Sequence, residues 1–134
     1  MTEHLAHPCS VSLNGVDNVG KTTQLAWLHR ALPDAHLVGT IDAWDSRWQA
    51  VATGDFAHWW FVDSSTAEHV DLVLGSHVAR RAASGPLALE DRGAPMLRAT
   101  CAATAALKDR LSPAKALGLV DDLAQRLPAP VPAP

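Results

Sequence analysis

Gly15-Val16-Asp17-Asn18-Val19-Gly20-Lys21-Thr22 satisfies the pattern G-x-x-x-x-G-K-[ST] at every fixed position. The spacing has a chemical reason. Glycines let the main chain curl closely around an anion and present several N–H groups to it. A helix starting at the same point adds its positive end. Lys21 is then placed to reach the β- and γ-phosphates of a nucleoside triphosphate, and the Thr22 hydroxyl to ligate Mg²⁺. The flanks supply the context that such a loop demands. Cys9-Ser-Val-Ser-Leu13 is short and apolar ahead of a glycine, which predicts a strand. Behind the loop, Leu25, Leu28 and Leu32 share one face of a predicted helix that Pro33 and Asp34 end.

Further out, His36-Leu-Val-Gly-Thr-Ile41 predicts a second strand. Asp42 to Phe61 reads as irregular and holds four of the five Trp residues and both Phe. Ser65 and Glu68 form a capping box ahead of Val70, Val73, Leu74, His77 and Val78, which repeat at helical spacing. That helix starts at the box, or near Phe56 if the Trp-rich segment forms its first turns. Gly85-Pro86 breaks it, and Leu87-Ala-Leu-Glu-Asp91 predicts a third, buried strand. Pro95 starts an alanine-rich helix running to Arg110. Ser112-Pro113 caps a last helix with Leu117, Val120, Ala124 and Leu127 on one side.

Strands alternating with helices argue for an α/β fold: a parallel sheet with helices on both faces. Three strands are few for such a sheet, so the expectation is a partial domain over residues 1–127, incomplete at its C-terminus. Residues 128–134, Pro-Ala-Pro-Val-Pro-Ala-Pro, read as a tail or linker, because proline lacks the N–H that a central strand needs. The composition suits a folded chain, with 48% hydrophobic and 19% charged residues. A net charge of −3 gives no general attraction to nucleic acid or anionic membranes, so bound phosphate must be held locally. Neither a signal peptide nor a membrane-length apolar run is present, and the expected compartment is the cytoplasm. Cys9 and Cys101 match no metal-ligand spacing and are expected to be two buried thiols.

Thr23 and Gln24 extend the loop in an informative direction. Leu13-Asn-Gly-Val-Asp-Asn-Val-Gly-Lys-Thr-Thr-Gln24 resembles the opening of thymidylate kinases, which read roughly E-G-x-D-x-x-G-K-[ST]-T-Q. Ala67-Glu-His-Val70, a helix, Gly85 and the strand ending Glu90-Asp91-Arg92 resemble the family's helix leading into its Asp-Arg-Tyr or Asp-Arg-His motif. The resemblance covers most of residues 9–110. It implies a P-loop nucleoside monophosphate kinase that moves the γ-phosphoryl of ATP onto a monophosphate, dTMP being the default acceptor. The triphosphate cradle would comprise Gly15, Asp17, Asn18, Val19, Gly20, Lys21, Thr22 and Thr23 of this Walker A loop, with Asp17 facing the acceptor sugar. Thr22 and Asp91 would attend Mg²⁺, and Arg92 would clamp the acceptor phosphate, a task that suits a planar guanidinium. Lys21, Asp91 and Arg92 are thus the expected catalytic residues. The resemblance leaves a homodimer open.

The chain departs from the family at several positions. Gly93 stands where the family has Tyr or His, Thr66 aligns with its base-reading arginine, Asn14 replaces a glutamate, and Asn18 stands where some members carry arginine. The family's lid lies beyond the matched region, so these 134 residues alone are expected to be a poor catalyst. Two alternatives therefore stay open: a non-catalytic or regulatory nucleotide-binding protein, and a kinase for another acceptor. Among lesser features, Trp44, Trp48, Trp59 and Trp60 read mainly as core, with one lining an acceptor pocket. Arg47 is a solvated residue or a helper of Arg92. Asp42 and Asp45 are alternative metal-side carboxylates. Arg80-Arg81 complement a helix dipole, and His77 is expected to be packed and hydrogen-bonded.

Overall fold

Three short strands form one parallel sheet in the order β1-β3-β2: β1 (Cys9–Leu13), β2 (His36–Gly39) and β3 (Leu87–Asp91). The computed structural model describes residues 9–15, 20–83 and 85–128. β1 runs beside β3 residue for residue, Cys9 opposite Leu87 and Leu13 opposite Asp91. β2 aligns His36 and Leu37 with Ala88 and Leu89, then slips so that Gly39 faces Glu90. The second strand is shorter than predicted. Gly39 turns the chain at φ +67, and Ile41 opens a 3₁₀ turn (Ile41–Ala43) instead of extending the strand.

Parallel strands need crossovers, and here these are helical. The first is α1 (Lys21–Ala31), whose Leu25 is buried against Ala35 and Leu89, with Leu13, Leu28 and Leu87 alongside. Because side chains alternate along a strand, Glu90 points to the opposite face from Leu89. That face meets α4 (Thr66–Ala83), whose Arg80 reaches Glu90 at 3.6 Å. The larger core lies between α4, α5 (Ala94–Asp109) and α6 (Pro113–Gln125). Val70, Val73, Leu97, Cys101, Ala105, Ala116 and Val120 interlock there, each at most 4% exposed. The architecture is therefore α/β, an open parallel sheet with helices on both faces, consistent with a P-loop-like fold. Among the described residues, no helix is long and apolar enough to cross a membrane.

The segment read as irregular is largely helical. It contains α2 (Arg47–Thr53), a single turn α3 (Phe56–His58) and a π turn (Trp59–Asp63). These pieces are too short to show a helical period, and each is fixed by local bonds or by packing. Asp55 caps α3 by accepting from His58 N at 3.0 Å, and α2 buries Trp48 and Val51, three residues apart. Helical structure does begin near Phe56, yet it stops at Ser64, and α4 starts afresh at the capping box. There Ser65 Oγ accepts from Glu68 N at 3.1 Å and donates to Glu68 Oε1 at 3.2 Å. Ser112 caps α6 in the same way through Lys115 N. The cysteines divide: Cys101 is buried, whereas Cys9 is exposed, because β1 is an edge strand. Of the predicted tail, residues 129–134 lie outside the described residues.

Candidate functional site

The site gathers at the C-terminal ends of the strands, where parallel sheets of this kind place their ligands. Its first half is the glycine-rich loop after β1. Asp17, Asn18 and Val19 lie outside the described residues, so the loop is seen at its two ends. Gly15 has φ +142 and Gly20 φ +89, conformations that glycine adopts without the clash a Cβ would bring. Gly20 leads directly into α1, whose first turn has no acidic residue and no side-chain cap. Lys21, 8% exposed, folds back so that Nζ donates to Gly15 O at 3.2 Å. Thr22 and Thr23 are exposed on the first turn. A positive helix end beside a lysine that folds back to Gly15 suits a polyphosphate.

The second half is the turn after β3. Leu13 and Asp91 are register partners, so the loop and this turn start side by side. Two further bonds join them: Arg92 N donates to Leu13 O at 2.8 Å, and Gly93 N donates to Asn14 Oδ1 at 2.9 Å. Asn14 thus fastens one site segment to the other. The approach is close enough to explain Gly93. A Cβ there would sit 2.8 Å from Ser12 Cβ and nearer still to Ser12 Oγ. A side chain at position 93 would not fit against this β1.

Between the turn and the helical layer opens a cleft of ≈ 580 Å³. Its floor is apolar, formed by Trp48, Trp60, Val73 and Leu97, with Phe56 at the side. Polar groups come from Asp42, Gln49, Thr100, Asp91 and Arg92. Asp42 accepts from the Thr40 hydroxyl. Two tryptophans, not one, line the cleft, and both belong to the core as well. Each indole N–H is used inward, Trp48 Nε1 donating to Ser76 Oγ at 2.8 Å and Trp60 Nε1 to Thr104 Oγ1 at 3.1 Å. The cleft therefore receives the rings' carbon surface. Trp60 also meets the edge of His69 at a centroid distance of 4.1 Å. Burial first, and the Lys108 charge second, hold the His69 pKa down at about 4.

Other candidates lie elsewhere or do other work. Arg47 is bound to Asp45 at 2.7 Å and to Asp71 at 2.6 Å on the surface, and does not line the cleft. The Arg47 hydrogen bond in turn holds the Asp45 carboxyl below its usual range. Trp44 donates Nε1 to Val38 O at 3.0 Å. Thr66 donates to Asp109 at 2.5 Å and also does not line the cleft. His77 is packed and hydrogen-bonded as expected, its pKa lowered to about 4 by burial and then by Arg80 and Arg81.

Arg80 is the residue whose importance the sequence reading missed. It stands in the last turn of α4 as expected, but its guanidinium is fully buried and reaches the sheet. A signal existed: Val70, Val73, His77 and Arg80 continue one buried stripe, and a charge on such a stripe needs partners. Gln49, Thr100 and Phe56 carried no comparable signal, because the cleft depends on how α2, α3 and α5 pack. Comparison with protein-family profiles, curated proteins and solved structures gives no match for this chain.

Proposed function

We propose that this chain is a thymidylate kinase-like nucleotide-binding protein that transfers the γ-phosphoryl of ATP to a nucleoside monophosphate, with dTMP as the default acceptor. The observation that carries the reading is the cleft at the C-terminal end of β3, whose lining holds Trp48 and Trp60 together with Asp91 and Arg92. A flat base suits the Trp48 and Trp60 rings, and an acceptor phosphate suits the Arg92 guanidinium.

The residues present fit ATP and Mg²⁺. Gly15, Gly20, Lys21, Thr22 and Thr23 offer main-chain amides, a helix N-terminus and an ammonium to a polyphosphate. Thr22 and Asp91 would hold Mg²⁺, which supplies charge neutralisation on the donor phosphates when bound. Lys21 exchanges its bond to Gly15 O for phosphate oxygens, so its charge is already in place before the triphosphate arrives. Arg92 orients the acceptor phosphate, an oxygen of which attacks the γ-phosphorus as ADP leaves. Asp91, 9% exposed, is withdrawn from bulk water, where its charge acts more strongly on a neighbouring cation. Positioning and charge stabilisation are the whole of the protein's contribution to such a transfer.

An ADP-release assay over a panel of nucleoside monophosphates tests the proposal. Slow turnover with dTMP is the expected result for these 134 residues, and turnover with another monophosphate alone would move the acceptor while keeping the reaction. A second reading, nucleotide binding without transfer, is favoured by the engagement of Thr66 with Asp109, outside the cleft. ATP binding with no ADP release for any acceptor would select it.

A further inference from the structure

Arg80 is 0% exposed, on the α4 face of the sheet, and its donors converge on the ends of two strands. Nη1 donates to Gly39 O at 2.7 Å and Asp91 O at 2.9 Å, and Nη2 donates to Arg92 O at 2.6 Å. The second proton of Nη2 goes to His77 Nδ1 at 2.9 Å, and the Glu90 carboxylate lies 3.6 Å away as countercharge. Three main-chain carbonyls, from the last residue of β2, the last of β3 and the first beyond it, thus meet in one planar group. We infer that Arg80 is the positioning residue that locks the Asp91-Arg92-Gly93 turn and so fixes the Arg92 side chain on the cleft wall.

Backbone geometry makes the lock necessary. Arg92 sits at φ +62, a left-handed conformation that costs a non-glycine residue about 1 kcal/mol or more. Such a residue stays there only when its surroundings over-determine it. Here its N–H is held by Leu13 O and its carbonyl by Arg80. Released, the residue would relax toward φ below zero and carry its guanidinium off the wall. The arrangement is also expensive for the core. Arg80 Nε and Glu90 Oε2 are buried without a hydrogen-bond partner, and an apolar pair would fill the space without that penalty. A lysine would not substitute, because a point charge cannot hold three carbonyls in one plane.

The effect on ligand binding rests on the acceptor-site reading above; the lock itself does not, and two readouts separate them. Arg80→Lys and the charge-free pair Arg80→Met/Glu90→Gln are compared with the unaltered protein by amide hydrogen exchange and by nucleotide titration. In the pair variant, exchange at Arg92 and Gly93 should quicken about tenfold or more while Leu89 and Leu25 keep their protection. Affinity for dTMP, followed by tryptophan emission, should fall about tenfold, with ATP affinity unchanged. Unchanged exchange at Arg92 and Gly93 in a folded variant would overturn the lock. Faster exchange with unchanged dTMP affinity would overturn its link to the ligand. If the unaltered protein binds no monophosphate, the proposed function fails and the exchange result still decides the lock. Should neither variant fold, nitrogen–carbon couplings across the hydrogen bonds from Arg80 Nη to the Gly39, Asp91 and Arg92 carbonyls decide it in the unaltered protein. Their presence supports the lock, and a freely rotating guanidinium without them overturns it.

Discussion

Lys21 and Gly93 show how far single residues determine this site. Lys21 is nearly buried, with its ammonium already turned to the Gly15 carbonyl, so its removal should cost binding more than stability. Lys21→Ala is expected to weaken ATP binding roughly 100-fold by calorimetric titration, as two or more charge-assisted bonds vanish. Unchanged affinity would refute the triphosphate site. Gly93→Ala should destabilise by about 1–3 kcal/mol in urea unfolding, because its Cβ meets Ser12 2.8 Å from that residue's own Cβ. Ser12→Gly in the same chain should restore much of that loss, and a simple sum of the two single effects would refute the contact. At this scale the sequence was legible wherever chemistry is tied to spacing. Gly15 follows β1, Gly20 and Lys21 open α1, and Asp91 ends β3, the positions in the fold that the spacing implies. Gly93 was visible only as a departure, since the Ser12 contact depends on the pairing of β1 with β3.

Elements were legible where a start or stop is written into the chain. β1 and β3 have their predicted bounds because a glycine or proline flanks each alternating or apolar run. The Ser65 and Ser112 caps were equally plain, each followed by its helix. Ser65→Ala should cost about 1 kcal/mol in chemical denaturation, since Glu68 N would lose its acceptor. A loss below a few tenths would mean that packing alone sets the start of α4. Residues 42–63 were opaque for a physical reason. A helix of seven residues shows less than two periods, and a π turn none, so their order comes from tertiary contacts such as Trp48 on Ser76 and Trp60 on Thr104. The cleft was hidden for the same reason, since those elements form its floor.

At the scale of the whole molecule, two buried imidazoles set the response to acid. His69 and His77 have pKa values near 4 in the fold against an ordinary 6.5. Lowered values mean that the folded state resists protonation, so their stabilisation is complete above pH 6.5 and is lost as pH falls toward 4. Exposed His58, raised by its bond to Asp63, works in the opposite sense, but solvent screens it. The melting temperature should therefore fall by roughly 5–10 °C between pH 7 and pH 5, above the range where carboxylates titrate. His77→Asn should flatten part of that slope, and a profile level from pH 7 to 5 would refute the assignment. The cysteines give the molecule a different kind of handle. Burial pushes the Cys101 thiol up to about 12, leaving it inert at neutral pH, whereas Cys9 opens the edge strand at the surface. A maleimide dye should thus attach once, at the far end of β1, about 13 Å along the strand from Leu13, which leads into the glycine-rich loop. One reactive thiol of the two would give a label at a single known position, on the edge of the sheet.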